Sequence, residues 1–246
     1  ADAIKFQVKT VEDAFSKELL DSPYRGPNSF GDTYREHKYA LELSYDDYRR
    51  VQKRCQEKGI IFFATPFDLK AFDFLETLEV PVYKISSFHL TENKLIDKIC
   101  ETKKPVFIST GMSSLEEIDV AIDMLKSKNI DFALLQCTSS YPAENKDVHL
   151  SVIPELKKRY DCIVGYSGHD KGVSIPAASV CFGANVIEKH FTLDHTMKGT
   201  DHPLSLEPKG LSGLVERTRL LEEAIGNPEK KVLECELKNR MKNRGY

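Results

Sequence analysis

The residues able to do chemistry recur at intervals, each set closing a short apolar run. In chain order they are Lys5 and Gln7, Thr65, Lys84 and Ser87, Ser109 and Thr110, Thr138 and Ser139, Ser167 and His169, and Glu188 and His190. The set is rich in ammonium, hydroxyl and imidazole groups and poor in acids. It suits an anion with several oxygens, which needs cations and neutral donors together. His169 and His190 close adjacent runs, so their rings can converge on one ion or simply pack as hydrogen-bonded core histidines. With no thiolate beside them, two imidazoles fit an open Mn2+ or Mg2+ site better than a closed zinc site. Two loops add candidates. Residues 22–38, with Arg25, Arg35 and Lys38, follow the first run and form either a surface excursion or a basic wall able to meet a second phosphate. Residues 198–202 place Asp201 where it accepts hydrogen bonds from a sugar hydroxyl or closes a turn.

These positions need a scaffold. Seven segments read as strands: 3–8, 60–65, 81–86, 105–110, 132–137, 162–167 and 185–191. Most are near-continuous apolar runs, the pattern of parallel strands buried on both faces. Helical spacing fills the intervals. Ser44 with Asp47 and Ser114 with Glu117 read as capping boxes, Gly59 as a helix stop, and a long helix spans about 207–225 with Pro208 in its first turn. Seven βα units predict an α/β fold, a (β/α)8 TIM barrel lacking its first strand, with active residues at the C-terminal strand ends. A doubly wound open sheet is the alternative, although no G-x-G-x-x-G follows an early strand. Residues 1–226 are expected to form the barrel domain, and the polar residues 227–246 an extension or linker.

Composition narrows the classes. In 246 residues, 35 Lys and Arg against 38 Asp and Glu leave a net charge of −3, so no general cationic field recruits nucleic acid or an anionic membrane surface. No stretch approaches the roughly 20 apolar residues of a membrane span. The six cysteines are scattered without a C-x-x-C pair, which fits reduced core thiols and a cytoplasmic setting.

Phe63-Ala64-Thr65-Pro66-Phe67-Asp68, Tyr83-Lys84-Ile85, Ile108-Ser109-Thr110-Gly111-Met112, Gln136-Cys137-Thr138-Ser139-Ser140-Tyr141-Pro142, Gly165-Tyr166-Ser167-Gly168-His169 and Val186-Ile187-Glu188-Lys189-His190-Phe191-Thr192-Leu193-Asp194 occur in that order. Together they resemble the sialic acid synthase family over nearly the whole chain. The stretch 33–38 with 41–44 is similar to the animal-type N-acylneuraminate-9-phosphate synthases. The resemblance implies a metal-dependent condensation of phosphoenolpyruvate with N-acetylmannosamine or its 6-phosphate, giving N-acetylneuraminate or its 9-phosphate, in a homodimer. By motif match, His169 and His190 become metal ligands. Lys5, Thr65, Lys84, Ser87, Ser109, Ser139 and Ser167 become the phosphoenolpyruvate cradle, with Lys84 catalytic, and Tyr141 and Asp201 face the amino sugar. Alternatives are a synthase of pseudaminic or legionaminic type and a non-catalytic barrel that binds phosphoenolpyruvate or a phosphosugar. Ser139 stands where bacterial members often have Asn, and His89 where the family has a carboxylate expected to position a metal-bound water. A first strand and an antifreeze-like C-terminal domain belong to the family pattern but not to these residues. His89 and the missing strand predict weak or absent turnover by this chain alone.

Overall fold

The architecture was read from a computed structural model that describes residues 1–246. Seven strands form one sheet: β1 (Ala3–Val8), β2 (Ile61–Pro66), β3 (Tyr83–Ile85), β4 (Val106–Ser109), β5 (Phe132–Cys137), β6 (Ile163–Gly168) and β7 (Val186–Lys189). All pairings are parallel and follow chain order from β1 to β7. Every connection therefore crosses over through helix. Short α1 (Val11–Ala14) and α2 (Lys17–Leu20) precede α3 (Tyr34–Leu41) and α4 (Tyr45–Lys58). The later crossovers use α5 (Leu69–Thr77), α6 (Asn93–Glu101), α7 (Leu115–Ser127), α8 (Val152–Tyr160) and α9 (Ser174–Ala178), and α10 (Pro208–Ile225) follows β7.

The local signals act as expected. Ser44 and Asp47 close a capping box on α4, Ser114 and Glu117 another on α7, and Gly59 ends α4 in the left-handed conformation at φ +67°. On β1, period-two alternation sends Phe6 against Tyr48 and Phe62 and buries Val8, while Lys5 and Gln7 point to the other face. The main core lies between the sheet and its helices and includes Tyr83, Ile108, Leu134, Val164 and Tyr166.

The sheet is curled. Lys5 on β1 and Glu188 on β7 form an ion pair at 2.9 Å although their strands stand at opposite ends of the pairing order. No backbone pairing joins β1 to β7, and these two strands are only partly buried where β2 to β6 are mostly covered.

Two expectations change. The runs at 81–86 and 185–191 yield only three and four strand residues, because Pro81 has no N–H to donate and the chain turns away after Lys189. The tail holds a helix, α11 (Glu234–Arg244), whose side chains are almost all exposed. No helix is long and apolar enough to cross a membrane.

Candidate active site

Parallel strands in register bring their C-terminal residues to one level, and the curl turns one face inward. Lys84 on β3 is 2% exposed; its Nζ donates to Ser109 Oγ on β4 at 2.6 Å and lies 3.5 Å from Glu188 Oε2. Lys5 holds the other oxygen of Glu188. One carboxylate thus stands between two ammonium groups, leaving one positive charge in surplus. Burial alone would raise the Glu188 carboxyl, but Lys5 and Lys84 outweigh it and hold it far below the usual range. Burial lowers Lys84, with Glu188 opposing the shift.

Around this charge cluster lie hydroxyls. Thr65 Oγ1 on β2 and Ser139 Oγ after β5 are buried and have no hydrogen-bond partner. Two unpaired buried hydroxyls are costly unless something else satisfies them. Ser87 Oγ accepts the Gly111 N–H at 2.9 Å, and a Cβ on Gly111 would collide with the hydroxyls of both Ser139 and Ser87. The loops after β3, β4 and β5 therefore meet as a cradle that only glycine leaves open. Ser167 is buried at the end of β6, in register with Glu188.

The histidines converge. The rings of His169 and His190 are 5.2 Å apart between centroids, and the Tyr141 ring packs 4.1 Å from the first and 6.3 Å from the second. His169 Nδ1–H donates to the Thr138 carbonyl at 2.7 Å, which fixes the tautomer and leaves Nε2 with its lone pair. Burial drives His190 down to about 4 against the opposing Asp201 carboxylate, 3.4 Å from its Nδ1. His169 moves the other way: burial lowers it, but the Cys137 thiol, 3.9 Å from its Nδ1, and the Thr138 carbonyl raise it on balance, so His190 alone is driven toward the neutral form that a divalent ion requires, and a thiol does stand beside the pair. No group of three or more His, Cys, Asp or Glu side chains is placed to hold a metal, so any such ion would have only these two imidazoles and open positions.

The expected site residues lie on the strands or in the turns just after them, apart from Asp201, which reaches His190 from a later loop, and the cations of the long loop. Arg35 is held by Glu12 and by Asp21 at 2.7 Å, and Arg25 lies 3.7 Å from Asp32. Lys38 sits over the rings of Tyr34 and Phe15. Arg35 is therefore occupied by carboxylates, which corrects the reading of a free basic wall at that residue, while Arg25 and Asp32 stay largely exposed. His89 is tied to Ser86 Oγ at 2.7 Å and packs edge-on against Phe67, and burial lowers it toward the neutral form. Glu188 was visible as a strand-end residue, but its part as the shared counter-ion was missed. Its place two residues before His190 was the available signal, since period two puts both on one face.

The fold and site together define a class: a curled parallel α/β sheet that gathers lysines, histidines and hydroxyls at its strand ends. The chain belongs to the NeuB family, whose model matches residues 1–230. It is 43% identical to the human N-acetylneuraminate-9-phosphate synthase over 238 residues, 96% of this chain and 66% of that protein. It is 36% identical to the N,N'-diacetyllegionaminic acid synthase of Campylobacter jejuni, covering 97% of this chain and 73% of that one. Among solved structures, the N-acetylneuraminic acid synthetase of Leptospira borgpetersenii serovar Hardjo-bovis superposes with a TM-score of 0.86 at 34% identity, over 100% of this chain and 83% of that chain. The chain spans just under two thirds of the length of the human relative.

Proposed function

We propose that this chain carries the catalytic pocket of a synthase that joins phosphoenolpyruvate to N-acetylmannosamine or its 6-phosphate. One water is consumed as the C–C bond forms and the phosphate leaves, and the products are a nine-carbon 2-keto acid and inorganic phosphate. Residues 1–226 would form this unit on the plan of a (β/α)8 barrel, with 227–246 an extension. The observation that carries the reading is the coincidence, at one set of strand ends, of surplus positive charge with two buried hydroxyls lacking partners.

In this reading Lys5 and Lys84 face the carboxylate and phosphate of phosphoenolpyruvate. Thr65, Ser87, Ser109, Ser139 and Ser167 supply neutral donors to the same oxygens. Glu188 directs both ammonium groups into the pocket. Tyr141 covers the histidine pair, and Asp201 accepts a hydroxyl of the amino sugar. Where bound by His169 and His190, Mn2+ or Mg2+ supplies Lewis-acid polarisation of the acceptor carbonyl. Holding enol carbon and carbonyl side by side removes the entropic cost of their encounter. The likeness to the legionaminic acid synthase favours a related nonulosonic acid as the second reading.

The test is phosphate release from phosphoenolpyruvate in the presence of Mn2+, with each acceptor in turn. Release dependent on an amino sugar is expected, weak in this chain and stronger in His89→Glu, and its absence from both with every acceptor overturns the reading. In calorimetry, His169→Ala and His190→Ala should each lose Mn2+ uptake. Uptake equal to the parent's in both variants removes the metal from the proposal.

A further inference from the structure

The ladder Lys5, Gln7, Lys9 extends the inward face of β1 by one step beyond the strand. Lys9 Nζ donates to Gln7 Oε1 at 2.9 Å, which confirms that the two side chains share that face. Unlike Lys5 and Lys84, Lys9 forms an ion pair with no carboxylate. Glu42, the acid that acts on it most strongly, has Oε1 engaged by the Tyr48 hydroxyl at 2.6 Å and by the Lys9 backbone N–H at 3.3 Å. The ammonium lies 4.4 Å over the Phe67 ring, so its floor is aromatic and its one side-chain acceptor is neutral. Burial lowers Lys9 to about 8, and Glu42, Lys38, Lys5 and Asp201 are the charged groups that act on it. Two of these, Lys5 and Asp201, belong to the pocket.

A part-buried ammonium with no anionic partner, at the mouth of a pocket, is a place for a ligand's anion. In the synthase reading Lys5 and Lys84 already face the anionic groups of phosphoenolpyruvate. An anion on the acceptor would fall to a further cation, and of the loop arginines Arg35 is held by Glu12 and Asp21 while Arg25 stands out in solvent near Asp32. We propose that Lys9 is the residue by which this chain selects a phosphorylated acceptor, receiving the phosphate of an amino-sugar monophosphate whose carbonyl end faces the histidine pair. This rests on the synthase reading and narrows it.

The experiment compares the parent chain, Lys9→Met and Lys9→Arg by initial rates of phosphate release with N-acetylmannosamine and with its 6-phosphate. The parent should show the lower KM for the 6-phosphate. In Lys9→Met the ratio of the two KM values should move by about tenfold or more against the 6-phosphate, which corresponds to about 1.4 kcal/mol of differential binding. Lys9→Arg should keep the preference, which separates a lost charge from a damaged fold. An unchanged ratio in Lys9→Met would mean that Phe67 and Gln7 are the whole complement of Lys9, and the proposal falls. If neither the parent nor His89→Glu turns over either acceptor, the synthase reading fails by itself. The Lys9 proposal is then decided by calorimetry of N-acetylmannosamine 6-phosphate against parent and Lys9→Met, where equal affinity overturns it.

Discussion

Glu188 and Lys189 are neighbours on β7, yet they enter two buried charge clusters on opposite faces of the sheet. Outward, Lys189 Nζ donates to the carbonyl and the carboxylate of Asp170, and Tyr166 OH donates to the same carboxylate at 2.7 Å. The side chains of Lys189 and Asp170 are 2% and 0% exposed, and one charge meets one charge. Inward, Glu188 faces two lysines in a space that also holds hydroxyls without partners. Burial and residue type do not separate a packing element from a ligand site here, but charge balance does. The outward pair is neutral as a unit, whereas the inward group is one positive charge in excess and is completed only by an anion from outside.

Breaking the balanced pair should have the largest effect. Asp170→Asn strands the Lys189 ammonium among core side chains, and a loss of about 3–5 kcal/mol in urea unfolding is expected. A loss under about 1 kcal/mol, the range of a solvated pair, would show that water reaches the cluster and would dissolve the contrast.

Lys84→Met tests the other side. Removing one of two cations from the surplus group relieves repulsion with Lys5 and the cost of burying an ammonium, so stability should fall less than in Asp170→Asn. Phosphoenolpyruvate binding should weaken by about 1.5–3 kcal/mol, tenfold or more, in calorimetry. Unchanged affinity would make Lys84 a packing residue like Lys189.

Glu188→Gln should come last. With a side chain one-fifth exposed, Glu188 falls between solvated and fully buried partners, and a stability loss of about 2 kcal/mol at neutral pH is expected. Because its folded carboxyl lies below the ordinary 4.5, its contribution is full above that pH and is lost as pH falls through the folded value. The difference between parent and variant should therefore be flat above pH 4.5 and shrink below it. A difference that grows on acidification would mean that Glu188 is not held ionised.

Much of the sheet was legible because parallel strands with both faces covered must be apolar almost throughout. The segments 3–8 and 132–137 agree with β1 and β5 residue for residue, and the capping boxes of α4 and α7 stand where their polar residues announced them. The helix at 234–244 escaped notice because it buries no face, so its residues carry propensity without periodicity. In the site, residue types were readable and pairings were not. Arg35 and Lys9 are both cations near the same loops, and only the folded geometry shows that acids hold one while the other has none. The Gly111 cradle was hidden for a related reason, since it depends on three loops from three strands meeting at one point.

The alternation on β7 also guards assembly. The strand pairs with β6 so that Ser167 lies opposite Glu188 and Gly168 opposite Lys189. A slip by one residue would exchange the faces of every side chain on the strand. Lys189 would then join Lys5 and Lys84 inside, three cations together, while Glu188 would turn outward toward Asp170, two carboxylates in a dry layer. Both clusters would become repulsive at once. β7 is four residues long and only partly buried, too short for its apolar side chains to enforce one alignment strongly. Its opposite charges at consecutive positions act as an electrostatic proofreading of that alignment, so the groups prepared for a ligand also help to set the strand that carries His190 to the pocket.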